Sequence, residues 1–234
     1  MEEKCNIINK DNNEISNPKK RGLFIVFEGA DRTGKTTQIE LLKDKYNTNL
    51  NENNDEIVSF MRFPDRNTII GNIINNYLSL AKENNNISDE CAHLLFSANR
   101  WEKQNEIIKT LEKGVHIICD RYYMSGCVYS ISKGLNEKWC CTPDIGIVEP
   151  DLTIILESSI DSITKRPNFG AERFENTEFQ NKIIQNYQNF RKKDCHIIVD
   201  ASKSIGEVNK NIERIINKYL SADYYFPLRY LEDI

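Results

Sequence analysis

The sequence predicts an α/β domain in which five strands form a parallel sheet with helices on both of its faces. Three observations carry that expectation. Five short runs, LFIVFE (23–28), IVSFM (57–61), VHIICD (115–120), LTIILE (152–157) and HIIVDA (196–201), are near-continuous in Val, Ile, Leu and Phe, the pattern of strands buried on both faces. Helix-like segments at about 35–46, 68–82, 89–113, 176–193 and 205–220 separate them, and such alternation argues for a doubly wound sheet. The first run leads straight into a glycine-bearing turn with a helix pattern behind it, a strand–turn–helix unit.

Length and charge bound the rest. The 234 residues carry 31 Lys and Arg against 35 Asp and Glu, a formal net charge of −4. One domain of this size buries a core without disulfide staples. A mildly acidic chain is not expected to bind nucleic acid or anionic membranes generally. No apolar run approaches the roughly 20 residues of a spanning helix, and the first 21 residues lack the apolar stretch of a signal peptide. The expected location is the cytoplasm, with the nucleus also open. Seven cysteines without a CxxC pair, and three scattered histidines, predict reduced thiols rather than a zinc site or a disulfide framework.

In chain order, residues 1–21 are polar, rich in Asn and without period, and read as a flexible extension. The Asn-rich stretches 47–55 and 82–88 read as solvated loops. After the first strand, Gly29-Ala30-Asp31-Arg32-Thr33-Gly34-Lys35-Thr36 fits G-x4-G-K-[ST] in full. The glycines let backbone N–H groups converge on phosphate oxygens, and the helix starting near Lys35 adds its positive end. Lys35 supplies a mobile cation and Thr36 a hydroxyl for Mg²⁺. The third strand ends in Asp120, followed by Arg121. A carboxylate there is where a second group facing the metal is expected.

Such loops serve GTPases, motors, transporters and kinases, so the acceptor needs its own argument. The chain has no NKxD guanine reader and no separate DxxG element. A kinase acting on a hydroxyl needs a base near it, whereas one acting on a monophosphate meets an acceptor already ionised near neutral pH. It needs cations instead, to hold two anionic groups together. Arg62-Phe63-Pro64-Asp65-Arg66 follows the second strand, and its arginines favour the phosphate acceptor. In the long helix expected over about 89–113, Ser88 or Asp89 can cap the start and Gly114 sits where a C′ glycine belongs. Leu94, Ala98, Trp101 and Ile108 fall on one apolar face, predicted to meet the core. Phe96 and Arg100 lie roughly opposite, either as a base-stacking ring with its clamp or as a ring packed under a loop.

At these residues the chain resembles the thymidylate kinase family in its eukaryotic form. The resemblance runs from Gly22 to about Leu220 and rests on FEGADRTGKTTQ (27–38), RFPDR (62–66), HLLFSANRWE (93–102), DRYYMSG (120–126), PDIGIVEPDL (143–152), RPNFGAERFE (166–175) and VDASKSI (199–205). It implies a nucleoside monophosphate kinase fold over 22–220, with a lid at 166–175 and a tail at 221–234. The implied reaction moves the γ-phosphoryl group of ATP to dTMP with Mg²⁺, giving dTDP and ADP, in a homodimer. Gly29, Thr33, Gly34, Lys35, Thr36 and Thr37 would cradle the ATP phosphates, with Thr36 and Asp120 toward the metal. Arg32 would act as an arginine finger in cis. Asp31 would accept a hydrogen bond from the 3′-hydroxyl of dTMP, and Arg66 and Arg121 would hold its phosphate. Phe96 would stack on thymine while Arg100 bonds a base-edge carbonyl. Phe63 and Leu78 would line the base pocket, and Ser125, Gly126 and Tyr129 would bound the methyl and sugar sides. Arg166, with Lys165 and Arg173 beside it in the lid region, would face ATP, and Ala201, Ser202 and Lys203 would form the adenine-side loop. The family carries Tyr where this chain has Phe174, a further expected substrate contact. Deoxynucleoside kinases would instead place a carboxylate base after the second strand. A broader pyrimidine monophosphate kinase and a nucleotide-binding switch module are the competing readings.

Overall fold

The structure is a computed structural model that describes residues 20–47, 57–79, 87–166, 174, 176–190, 195–222, 224 and 226–232. Almost all of the expected extension, most of both Asn-rich stretches and most of the expected lid lie outside these residues.

Five strands, β1 (Phe24–Glu28), β2 (Val58–Arg62), β3 (His116–Asp120), β4 (Leu152–Glu157) and β5 (His196–Asp200), pair in the order β2-β3-β1-β4-β5, every pair parallel. The near-continuous apolar runs have a direct cause in β1. Phe24 and Val26 enter one buried cluster, while Ile25 and Phe27 enter another on the opposite face. The second cluster is closed by α1 (Lys35–Asn47) and α9 (Ile205–Leu220), through Ile39, Leu42, Val208, Ile212 and Ile216. Against the first pack α4 (Gln104–Glu112), α5 (Tyr123–Ser132) and α8 (Thr177–Asn189). The remaining helices are α2 (Ile69–Ser79), α3 (Asp89–Glu102), α6 (Glu137–Cys141), α7 (Ile160–Thr164) and a 3-10 turn at Thr142–Asp144. Parallel pairing aligns the carboxyl ends of the strands. Arg62 sits opposite Asp120, and β1 beside them ends in Glu28, so charged side chains from three strands gather at the carboxyl end of the sheet, where α/β sheets bind ligands.

Two expectations are corrected. The long helix over 89–113 is broken at Lys103 into α3 and α4. Its apolar face also points the other way: Leu94 and Trp101 are exposed, and α3 instead buries His93, Ser97, Asn99 and Arg100. Polar residues turn inward because they have buried partners there, described below, so burial follows hydrogen bonding rather than hydropathy. Within the 221–234 tail, residues 226–232 contact the domain. Leu228 and Leu231 are buried, Gly146 N–H donates to Leu231 O at 2.7 Å, and Leu231 N–H donates to Ile147 O at 2.9 Å. At the other boundary, Arg21 makes a paired contact with both oxygens of the buried Asp151, each at 2.7 Å.

Candidate active site

The turn after β1 is shaped by backbone geometry that side chains tolerate poorly. Gly29 has φ +135°, and a Cβ there would lie 2.4 Å from Leu156 O. Gly34 has φ +99°, and Arg32 between them is held at φ 60°, left-handed for a non-glycine residue. Lys35 folds back into this loop, donating to Gly29 O at 2.9 Å and Ala30 O at 2.7 Å. Thr33, buried beneath, donates to Ala30 O at 3.0 Å. Burial drives the Lys35 ammonium down to about 7, and Arg121 pushes the same way, against Asp120, Asp31 and Glu28.

Arg121, also left-handed at φ 68°, follows β3 and crosses in front of the loop. It donates to Gly29 O at 3.1 Å, Ser125 Oγ at 3.0 Å and Asp31 Oδ1 at 2.6 Å. Burial alone would raise the Asp31 carboxyl, but Arg121, then Lys35, hold it below the usual carboxylate range. The Tyr129 ring lies 5.3 Å from the Arg121 guanidinium, with its buried hydroxyl beside Asp31 yet outside hydrogen-bond geometry.

The start of α5 is fixed from outside itself. Its own N-cap, Tyr122, offers no side-chain acceptor. Glu28, fully buried at the end of β1, accepts instead from Tyr122 N–H at 2.9 Å and Ser125 N–H at 3.1 Å. Its other oxygen takes Ser125 Oγ at 2.5 Å and Tyr187 Oη at 2.9 Å. A carboxylate from one element thus supplies the capping that helix N-termini require.

Thr36 Oγ1 donates to Asp120 Oδ2 at 3.3 Å, and Arg62 Nε lies 3.8 Å from that oxygen. Asp120 Oδ1 is buried and has no hydrogen-bond partner. An unpartnered carboxylate oxygen beside a threonine hydroxyl is a donor set that suits a hard divalent cation.

A cavity of about 540 Å³ runs from this loop to a slot between α2, α3 and α5, within the size range of small-molecule sites. Phe96 lines the slot and meets Tyr77 edge-on with centroids 6.5 Å apart. Arg100 closes its far end. Nε and Nη2 donate to Asp144 at 2.8 and 2.6 Å, which turns the rest of the guanidinium toward the cavity. A Cβ on Gly126 would come within 2.7 Å of Arg100 Nη2, so the glycine is what lets the guanidinium lie there. Leu78 and the buried Phe63 complete the walls. Phe174 covers one side, 5.6 Å from Phe179 and 6.1 Å from Tyr129, with Lys133 Nζ 4.7 Å from its ring centroid. Lys133 is anchored by Asp89 at 2.9 Å.

The structure brings most of the expected residues to this one cavity, including Arg32, Lys35, Thr37, Arg66 and Arg166. Arg66 is exposed and steadied by Asn75 at 3.2 Å. Gly29 and Thr33 belong to the loop but do not line the cavity. Ala201, Ser202 and Lys203 lie outside the cavity, joined to it by Arg166 Nη2, which donates to Ala201 O at 3.4 Å. Asp65, the carboxylate that follows β2, turns away from the cavity to Lys103 at 3.2 Å and to Asn67 N–H at 3.0 Å. Sequence reasoning missed Glu28, Asn99, Asp144 and Gln180. Asn99 clamps the backbone of Asp65 through N–H at 2.8 Å and O at 3.1 Å, setting the turn that carries Phe63 and Arg66. The available signal for Glu28 and Asp144 was a carboxylate in an otherwise apolar run.

Comparison with known proteins agrees with this geometry. A family model described as thymidylate kinase matches residues 27–212. The chain is 42% identical over 205 residues to a thymidylate kinase of Plasmodium falciparum, covering 87% of this chain and 94% of that protein. It is 44% identical over 199 residues to the thymidylate kinase of Dictyostelium discoideum, covering 85% and 86%. A solved thymidylate kinase from Candida albicans superposes with a TM-score of 0.79 at 34% identity, covering 90% of this chain and 98% of that one. Shared sequence over nearly the whole length of these relatives, on a shared parallel sheet, shows that the chain belongs to the thymidylate kinase family.

Proposed function

We propose that the protein transfers the γ-phosphoryl group of ATP to dTMP, giving dTDP and ADP for dTTP synthesis. The observation that carries this reading is the single cavity linking the phosphate loop to an aromatic slot ending in Arg100. A switch module has no use for such a slot, and family membership does not favour a broader pyrimidine kinase.

The donor phosphates rest on the loop N–H groups with Lys35 beside them, and adenine lies between Arg166 and residues 201–203. Thymine stacks on Phe96 with a base-edge carbonyl toward Arg100, and Gly126 leaves room for that contact. Asp31 accepts from the 3′-hydroxyl, with Tyr129 against the sugar. Arg66 and Arg121 bring the acceptor phosphate in line with the γ-phosphorus. An acceptor oxygen attacks there as the bond to the β-bridging oxygen breaks, and ADP leaves. No base is required because the acceptor is already ionised, which accords with Asp65 facing Lys103. Arg32 and Lys35 neutralise charge on the moving group. Thr36 and the unpartnered oxygen of Asp120 would hold Mg²⁺, whose role is to neutralise charge on the donor oxygens.

A homodimer fits the surface of α2 and α3, which expose Ile69, Ile73, Leu94 and Trp101, apolar area of the kind that copies bury. The reading keeps the cytoplasm as the working location. No described helix is long and apolar enough to cross a membrane.

The test is ADP release with Mg-ATP and, separately, dTMP, dUMP, UMP, dCMP and thymidine. Turnover is expected to be fastest with dTMP and absent with thymidine. Phosphorylation of thymidine within about tenfold of dTMP, where a missing base should cost ~10²–10⁴-fold, would overturn the reading. So would ADP release indifferent to the acceptor.

A further inference from the structure

Asp31 is clamped from two sides, and only one of its clamps belongs to the phosphate site. Its Oδ1 takes Arg121 at 2.6 Å, while its Oδ2 takes Gln180 Nε2 at 2.9 Å. Gln180 lies in the first turns of α8 and is fully buried. Its Oε1 accepts the backbone N–H of the same Asp31 at 3.1 Å, so one amide grips both main chain and side chain. The second Nε2 hydrogen goes to Phe174 O at 3.0 Å. Both donors and the acceptor are thereby engaged, and the amide cannot flip without losing all three contacts. Seven residues on, Tyr187 reaches Glu28 from the same helix face, so α8 is itself fixed against the sheet.

We infer that Gln180 is a positioning residue for recognition of the sugar 3′-hydroxyl, holding the Asp31 carboxylate so that its unused lone pairs face the acceptor. A carboxylate oxygen has room for two hydrogen bonds. With Arg121 on one oxygen and Gln180 on the other, rotation of the Asp31 side chain is blocked while an accepting site remains on each oxygen. Without Gln180, Asp31 would follow Arg121 alone, its backbone N–H would lose its partner, and the hydroxyl would meet a carboxylate free to turn. This role requires an amide. A carboxylate at this position offers no donor and sets a like charge against Asp31.

This inference rests on the proposed contact between Asp31 and the acceptor sugar, and its test separates the two. The acceptors are dTMP and 3′-deoxy-dTMP, compared by kcat/KM in wild type, Gln180→Met and Gln180→Glu, with folding followed by thermal melting. Wild type should prefer dTMP by roughly 10- to 100-fold, the span expected for a hydrogen bond to a charged group. In Gln180→Met that preference should fall to within about threefold, through loss with dTMP alone, while the KM for ATP holds. Gln180→Glu should also lose the preference at pH 8 and regain part of it near pH 6, as the introduced carboxyl takes up a proton and becomes a donor. That pH dependence is a readout which a purely structural residue would not give. Equal losses with both acceptors, or an undiminished preference in both variants, would overturn the inference. Wild type that phosphorylates dTMP yet ignores the 3′-hydroxyl would also overturn it, with the kinase reading intact. Wild type inactive on dTMP would sink that reading itself.

Discussion

Asp144 offers the sharpest perturbation of the base end of the cavity. Its carboxylate is fully buried and accepts Arg100 Nε at 2.8 Å, Arg100 Nη2 at 2.6 Å and Ser97 Oγ at 2.9 Å. Asp144→Ala therefore strands a guanidinium whose side chain is 3% exposed. Breaking a buried pair by removing one partner costs about 3–5 kcal/mol. At about 2–4 °C per kcal/mol for a domain of this size, the melting temperature should fall by roughly 6–20 °C. The double variant Arg100→Met with Asp144→Leu removes both charges and should recover most of that loss, because a buried pair contributes little beyond its apolar replacement. It should nevertheless bind dTMP poorly, since nothing then faces the base edge. Thermal or urea unfolding gives the first quantity and KM for dTMP the second. A fall in melting temperature below about 2 °C for Asp144→Ala, or a double variant no more stable than that single one, would refute the account of this pair.

Three further outcomes follow from the same site. Phe96→Ala should weaken dTMP by roughly 1–3 kcal/mol, the usual worth of a stacked base, and leave the KM for ATP nearly unchanged; equal damage to both would mark Phe96 as a structural ring. Arg32→Ala should depress kcat by about 10³-fold or more with little change in dTMP affinity, and a near-normal kcat would assign the task to other cations. ATP binding should take up protons at pH 8 and hardly any at pH 6. Lys35 sits near 7 in the free protein, so it is largely neutral above that value, and phosphate oxygens raise it again. Calorimetry in buffers of different ionisation enthalpy reads the uptake; none at pH 8, or the same uptake in Lys35→Met, would exclude Lys35 as its source.

The sheet was legible because the central strands β1, β3 and β4 are buried on both faces and the half-buried edge strands β2 and β5 still carry short apolar runs, and the phosphate loop because few other sequences satisfy its geometry. Phe96 and Arg100 were placed correctly on one side of their helix. The role of the opposite face was misjudged, because Leu94 and Trp101 look like core residues to any hydropathy rule, whereas His93, Ser97 and Arg100 are buried by partners in distant segments. The helix at α5 escaped notice for a related reason. YMSGCVYSIS has poor intrinsic helix propensity, and its cap comes from Glu28, 94 residues before Tyr122. Asn99, Asp144 and Gln180 likewise act through contacts separated by 34, 44 and 149 residues, and no local pattern reports such pairs.

The left-handed backbone at Arg32 and Arg121 places conformational strain at two cations that line the cavity. An ordinary side chain in that region costs about 1–2 kcal/mol relative to glycine, and here two of the working cations sit in it. Glycine at Arg121 would relax the chain but strip Gly29 O, Ser125 Oγ and Asp31 of their donor. Breaking a largely buried pair costs about 3–5 kcal/mol against about 1–2 kcal/mol of strain relieved, so the contacts of the Arg121 side chain hold its own backbone in place. Gains in durability for this protein have to be sought away from the edge of the sheet where function is concentrated.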